Sequence, residues 1–332
     1  YEGPGYFQYS MENSINLWRA YALLKNVPVA SVIPERIRKS VNYINAFLST
    51  TDLCGSAMPF NNSHAARISD QILNFFSNQF NWEKGKTLIK NRSAEKNSNE
   101  LIDVAGLLFA AADENKALEI KGAENETKEN KYYIFEKSGL GVFESEKTKF
   151  WFLCEGNPRT GHYHFDRGSV VLEYNNVKIL TDPGVTDYSN WISRYMNKEQ
   201  YHNLAHPKGI SMKLQSDIAA ISANEAGIGC RTVVSLKDFE RPSARVKYIR
   251  KTENGISFSG DLTEIYPGVL SAVREGYYKT QKGGAELFIC DEWLFDADMP
   301  LWVNFAAYAP WKINEKSASV RIGGVRLKLE FN

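Results

Sequence analysis

A chain of 332 residues with a formal net charge of +1 has no global electrostatic pull toward nucleic acid or anionic lipid, so an acidic partner must be met by a local cleft. Hydrophobic residues at 43% and charged residues at 24% describe a globular protein of one or two domains, and no run of about 18 apolar residues offers a membrane span. Four scattered cysteines (Cys54, Cys154, Cys230, Cys290) with no CxxC pair fit neither a disulfide scaffold nor a cysteine zinc site.

The first third reads as helical. Met11, Ile15, Trp18, Tyr21 and Leu24 give residues 10–25 an amphipathic period. Pro34 suits the first turn of a helix carrying Ile37, Val41, Ile44 and Leu48. Ile68, Ile72, Phe75, Phe76 and Phe80 mark another. Leu101 to Ala112 follows the capping run Asn97-Ser98-Asn99, with Glu100 in the first turn. The charged, aperiodic stretches Asp113–Lys116 and Glu124–Lys131 then read as a linker.

From Tyr132 onward the pattern changes to strands. Phe150–Leu153 and Val170–Tyr174 are strongly β-prone, and Asn175-Asn176 joins the latter to Val177–Leu180 as a tight hairpin. Further strands are expected at Val233–Leu236, Ala244–Ile249, Ile256–Gly260, Glu286–Ile289, Leu301–Phe305, Val320–Ile322 and Val325–Phe331, in antiparallel sheets packed face to face. The expected class is α+β: a helical part over residues 1–115, a linker over 116–131 and an antiparallel β-sheet domain over 132–332.

Four of the five histidines fall between residues 162 and 206. His162 and His164 project to the same side of an extended segment. Asp182 ends the second strand of the hairpin whose first strand follows His164, and a hairpin returns those two points to each other. His202 follows a loop long enough to close over the same place. Two imidazoles and a carboxylate make a first coordination sphere for zinc, with water or a further side chain as the fourth ligand. A rival reading takes His164, Asp166 and His202 as the HxD…H triad of a non-haem iron oxygenase. A third takes the chain as a non-catalytic carbohydrate-binding module.

Gly161-His162-Tyr163-His164-Phe165-Asp166, then Thr181-Asp182-Pro183-Gly184, then His202-Asn203, resembles the ordered signature of the heparinase II/III family of polysaccharide lyases, whose alginate-lyase relatives carry a similar GHxHFD run. The opening Glu2-Gly3-Pro4-Gly5-Tyr6 is similar to the segment bearing that family's catalytic tyrosine. The resemblance implies a partial α/α toroid followed by a β-sandwich of layered antiparallel sheets. It implies β-elimination on uronic-acid glycans (heparan sulfate, alginate or hyaluronan among them), with Tyr6 as proton donor or base and His162 as acid/base partner. It implies a structural zinc on His164, Asp182 and His202, an acidic polysaccharide as partner, and a periplasmic or secreted location; a homodimer is left open. Arg159, Arg194 and Asn203 are the substitutes considered for the group that neutralises the substrate carboxylate, because the family's own residue lies upstream of the tyrosine segment. On the same resemblance the chain is expected to be a fragment.

Overall fold

The computed structural model of the protein describes residues 4–58, 67–95, 130–154, 164–184, 192, 196–212 and 243–331. It divides into two compact units, Gly3–Glu129 and Asn130–Asn332 together with Tyr1–Glu2. The expected helix Leu101–Ala112, most of the expected linker and the expected strand Val233–Leu236 lie outside the described residues.

The first unit contains α1 (Pro4–Lys25), α2 (Val29–Val32), α3 (Glu35–Arg38), α4 (Ser40–Phe47), α5 (Asp70–Phe80) and α6 (Glu83–Glu95). Helix α1 begins earlier than its apolar period suggests, because Pro4 suits a first turn, where its missing N–H loses no hydrogen bond. It ends where Asn26 takes a left-handed φ of 52° and the Val27 N–H closes on the Ala22 carbonyl. Its buried edge, Met11, Ile15, Arg19 and Ala22, follows the helical repeat. Met11 and Ile15 share one core with Ile72, Phe75 and Phe76 of α5. Burying side chains of that size stabilises by about 1.5–3 kcal/mol each. Trp18 stacks on Phe75 at 6.0 Å, and the Arg19 guanidinium lies 5.4 Å from the same ring centroid.

Helix α5 is capped by Ser69, whose hydroxyl accepts from the Ile72 N–H, and closed by Asn81 at φ 49°. The single helix expected from Pro34 to Leu48 is instead two short ones. Lys39, at ψ −13°, closes a tight turn onto Ile37, so the hydrogen-bond ladder restarts at α4. Leu48 has left the helix for an isolated bridge with Ala57. No helix among the described residues is long and apolar enough to cross a membrane.

In the second unit a five-stranded sheet runs in chain order: β1 (Lys131–Phe135), β2 (Leu140–Glu144), β3 (Thr148–Leu153), β4 (Ser169–Tyr174) and β5 (Val177–Leu180). A short pair joins β6 (Ala205–Pro207) to β11 (Leu301–Val303). A four-stranded sheet takes β7 (Arg245–Thr252), β8 (Gly255–Asp261), β9 (Val269–Gln281) and β10 (Gly284–Phe295). The last three, β12 (Lys312–Asn314), β13 (Ser317–Ile322) and β14 (Val325–Glu330), form a small sheet. Every pairing among the described residues is antiparallel.

The two large sheets face each other across one apolar core of Phe143, Phe150 and Phe152 against Ile256, Phe258 and Tyr278. Phe152 stacks on Phe258 at 4.3 Å, and Phe150 lies parallel to Tyr278 at 4.9 Å. The Tyr278 hydroxyl is not stranded in this core, since it shares a 2.6 Å hydrogen bond with Thr148. Gly141 permits the close approach: a Cβ there would stand 2.7 Å from Ile249. The resulting class is α+β, helices first and face-to-face antiparallel sheets after.

The hairpin between β4 and β5 turns on Asn175 (φ 48°) and Asn176 (φ 57°), both left-handed, as a two-residue hairpin requires. Pairing runs Tyr174 with Val177 and Glu173 with Lys178, then skips Ile179 so that Leu172 meets Leu180. Ile179 is thus the extra residue of a β-bulge. Both it and its neighbour Leu180 belong to the core.

Candidate functional site

The hairpin places the site. His164 lies five residues before β4 and Asp182 two residues after β5, while His202 ends the short turn Glu199–Tyr201. The three side chains converge, each offering a ligand atom within 4.8 Å of the others. All are buried: His164 is 1% exposed, Asp182 1% and His202 0%.

Their polar atoms are unevenly served. His202 Nδ1 donates to Asp182 Oδ2 at 2.9 Å, and Asp182 Oδ1 accepts from the Gly184 N–H at 2.9 Å. Both ring nitrogens of His164 and Nε2 of His202 are buried without a hydrogen-bond partner. Each such orphan in an interior costs about 1–3 kcal/mol. A cation at the point of convergence would bind one nitrogen of each ring and so remove that cost for two of the three. Burial holds the His164 imidazole down to about 3, and the nearby His202 adds to the effect against the opposing pull of Asp182. His164 is therefore a neutral ligand across the physiological range. Burial also opposes charging of His202, but the adjacent Asp182 outweighs it and raises that imidazole above its ordinary value. Two imidazoles and a carboxylate fit a tetrahedral divalent ion with one position left over. At about 2.1 Å per ligand the ion would draw the three somewhat closer together.

The carboxylate that joins the two imidazoles is Asp182 and not Asp166. Asp166 is wholly buried, and its Oδ1 accepts from Arg167 Nη1. The HxD arrangement of an iron oxygenase is therefore not the grouping formed here. Glu199 is also buried; it accepts from the Met212 N–H at 2.6 Å and contributes to the raised value of His202.

Asn203, considered for a substrate contact, is wholly buried, and its amide faces the backbone. Its Nδ2 donates to Val170 O at 2.7 Å and Thr181 O at 2.9 Å, while its Oδ1 accepts from the Ala306 N–H at 2.7 Å. It is a brace between the strands that carry the ligands. Arg274, which no local pattern singles out, is buried on β9. It pairs with Asp291 through Nε at 2.6 Å and Nη2 at 2.8 Å, and its Nη1 donates to both Gly168 O and Asn203 O at 2.8 Å.

Tyr6 lies in the first turn of α1 and is half-buried, whereas Tyr9 is 66% exposed. His162, Arg159 and Arg194 lie outside the described residues.

No protein-family model and no curated protein sequence matches the chain. Solved structures do. Heparan sulfate lyase HepC from Pedobacter heparinus matches 97% of this chain with 44% of its own, at a TM-score of 0.56 and 15% identity. Heparinase III matches 95% of this chain with 44% of its own, at 0.55 and 12%. A heparinase III with methylated lysines matches 97% with 43%, at 0.55 and 14%. The fold is therefore the one found in heparinase III and heparan sulfate lyase, and the chain spans less than half the length of those proteins.

Proposed function

We propose that the protein acts as a polysaccharide lyase that cleaves uronic-acid glycans by β-elimination. The observation that carries this is the likeness to heparan sulfate lyases along nearly the whole chain, at 97% coverage. The converging His164, Asp182 and His202, at the positions the signature specifies, support it further. Heparan sulfate stands first among the candidate polymers because two of the matched structures are named for it.

In β-elimination a base removes the proton beside the uronate carboxyl group. The electron pair forms a carbon–carbon double bond, and the glycosidic oxygen leaves with a proton. We assign the acid/base role to His162, imidazole being the side chain whose ordinary titration range lies nearest neutrality, and the delivery of the leaving-group proton to Tyr6. A neutral phenol, with an ordinary value of about 10, holds that proton at working pH. Arg159 and Arg194 are the cations proposed to offset the substrate carboxylate, while Asn203 acts from beneath as a brace. Zinc is the ion assigned to His164, Asp182 and His202, where it would supply a rigid cross-link between the hairpin and the segment carrying His202. Such polymers lie outside the cytoplasm, so a periplasmic or secreted site of action follows from this reading.

The test is incubation of the protein with heparan sulfate, alginate and hyaluronan while following ultraviolet absorbance of the unsaturated product. Turnover of at least one polymer is expected. Tyr6→Phe should lower it by about 10²–10⁴-fold while leaving the circular dichroism spectrum unchanged. A Tyr6→Phe variant that keeps most of the activity overturns the proton assignment, and glycan binding without any new absorbance favours a carbohydrate-binding module.

A further inference from the structure

We infer that Arg274, held by Asp291, is a positioning residue that sets the geometry of the His164–Asp182–His202 centre from the opposite sheet. The inference rests on the reading of that group as a metal site. Arg274 is fully buried and makes four hydrogen bonds. Arg274 and Asp291 are direct cross-strand partners on β9 and β10, and two parallel N–H···O bonds lock the guanidinium plane. That leaves Nη1 free to point out of the pair. Its two hydrogens go to Gly168 O and Asn203 O, carbonyls 106 and 71 residues away in the chain.

Those two carbonyls belong to the segments that supply the imidazoles. Gly168 lies four residues after His164, and Asn203 directly follows His202. The third ligand is reached through Asn203, whose Nδ2 binds the carbonyl of Thr181, the residue before Asp182. A second strand of the network fixes the first segment, as the Asn203 N–H donates to Ser169 Oγ at 3.2 Å. One guanidinium and one amide therefore join all three ligand-bearing segments, and the Asp291 carboxylate on the four-stranded sheet anchors the guanidinium. A lysine, with three donors and no planar fork, could not make the two parallel bonds to Asp291 and also serve both carbonyls. Outer partners of this kind orient metal ligands and typically affect metal affinity by about 10–100-fold.

The experiment uses the full chain, stripped with a chelator and titrated with zinc and with cobalt(II). Zinc affinity is read by competition with a chromophoric chelator, ligand geometry by the cobalt visible absorption spectrum, and fold stability by thermal unfolding of the metal-free forms. Arg274→Lys and the apolar double variant Arg274→Met/Asp291→Leu are compared with a control, Lys149→Met/Glu144→Leu, which removes another buried ion pair of the same unit. The expected result is zinc binding weakened about 10–100-fold in the double variant and less in Arg274→Lys, with an altered cobalt spectrum in both. The control should keep wild-type zinc affinity and the wild-type spectrum whatever it does to the unfolding midpoint. Wild-type affinity and spectrum in both Arg274 variants overturn the positioning role alone. Failure of the wild-type protein to bind either ion overturns the metal reading and this inference with it.

Discussion

Two buried cations in the β unit invite comparison. Lys149 and Arg274 are each 0% exposed, and their partners Glu144 and Asp291 are 13% and 14% exposed. Beyond that the two diverge. The Lys149 ammonium stands 2.6 Å from Glu144 and near the rings of Tyr133 and Trp151, at 5.8 Å and 5.4 Å, so its described surroundings include aromatic faces. The Arg274 fork reaches past its carboxylate to two backbone carbonyls beside the candidate metal ligands. The same degree of burial therefore accompanies two different uses of a positive charge. One sits as a point charge among π systems, and the other aligns distant stretches of chain.

The sharpest way to break this comparison is to leave each carboxylate without its cation. Arg274→Ala and Lys149→Ala should each destabilise the fold by about 3–5 kcal/mol, because an unpaired charge stays buried. Chemical denaturation checks both. If Arg274→Ala is silent, the network it anchors holds nothing. Next in size, zinc at 100 times its dissociation constant should add about 2.7 kcal/mol to the wild-type protein. It should add nothing to His164→Ala or Asp182→Ala, as measured by unfolding with and without the ion. Asn203→Leu should lose about 1–3 kcal/mol through the carbonyls and N–H it leaves unpaired, and it should weaken zinc binding where a Lys149 variant does not.

A further effect is in pH. The folded-state value of His164 is about 3 against an ordinary 6.5, so its contribution is present above 6.5 and is lost as pH falls toward 3. His202 runs the other way: raised above 6.5, it stabilises most at low pH and loses that contribution as pH rises through its folded value. The metal-free protein should therefore lose stability on acidification below 6.5, and His164→Gln should flatten that part of the curve. A variant with the wild-type slope would show that other groups set it.

Much of the site was legible because its parts are local. Asn175-Asn176 announces a hairpin, and a hairpin brings Asp182 back to His164 without any knowledge of the rest of the fold. Helix α5 was legible from the spacing of Ile72, Phe75, Phe76 and Phe80. Helix α6 was not, since Glu83 to Glu95 is mostly polar, with too few apolar residues to mark a face. The long strand β9 escaped because Arg274 and Gly276 interrupt its apolar alternation. Gly276 is needed there, as a Cβ would stand 2.2 Å from the Phe288 carbonyl. Arg274 itself had no local signal at all. Its partners lie 17, 71 and 106 residues away, and a single arginine in a strand says nothing about which carbonyls the fold will bring to it.

The bulge at Ile179 has a consequence for parity. Side chains along a strand alternate between faces, so an extra residue taken into the regular ladder would reverse every position beyond it. The bulge absorbs Ile179 instead: Leu180 still pairs with Leu172, Ile179 and Leu180 both join the core, and Asp182 emerges beside the imidazoles. Deleting Ile179 would remove one core side chain yet leave Leu180 opposite Leu172 and Asp182 on its present face. Losing Thr181, with no bulge to take up the change, would turn the Asp182 carboxylate away from the imidazoles.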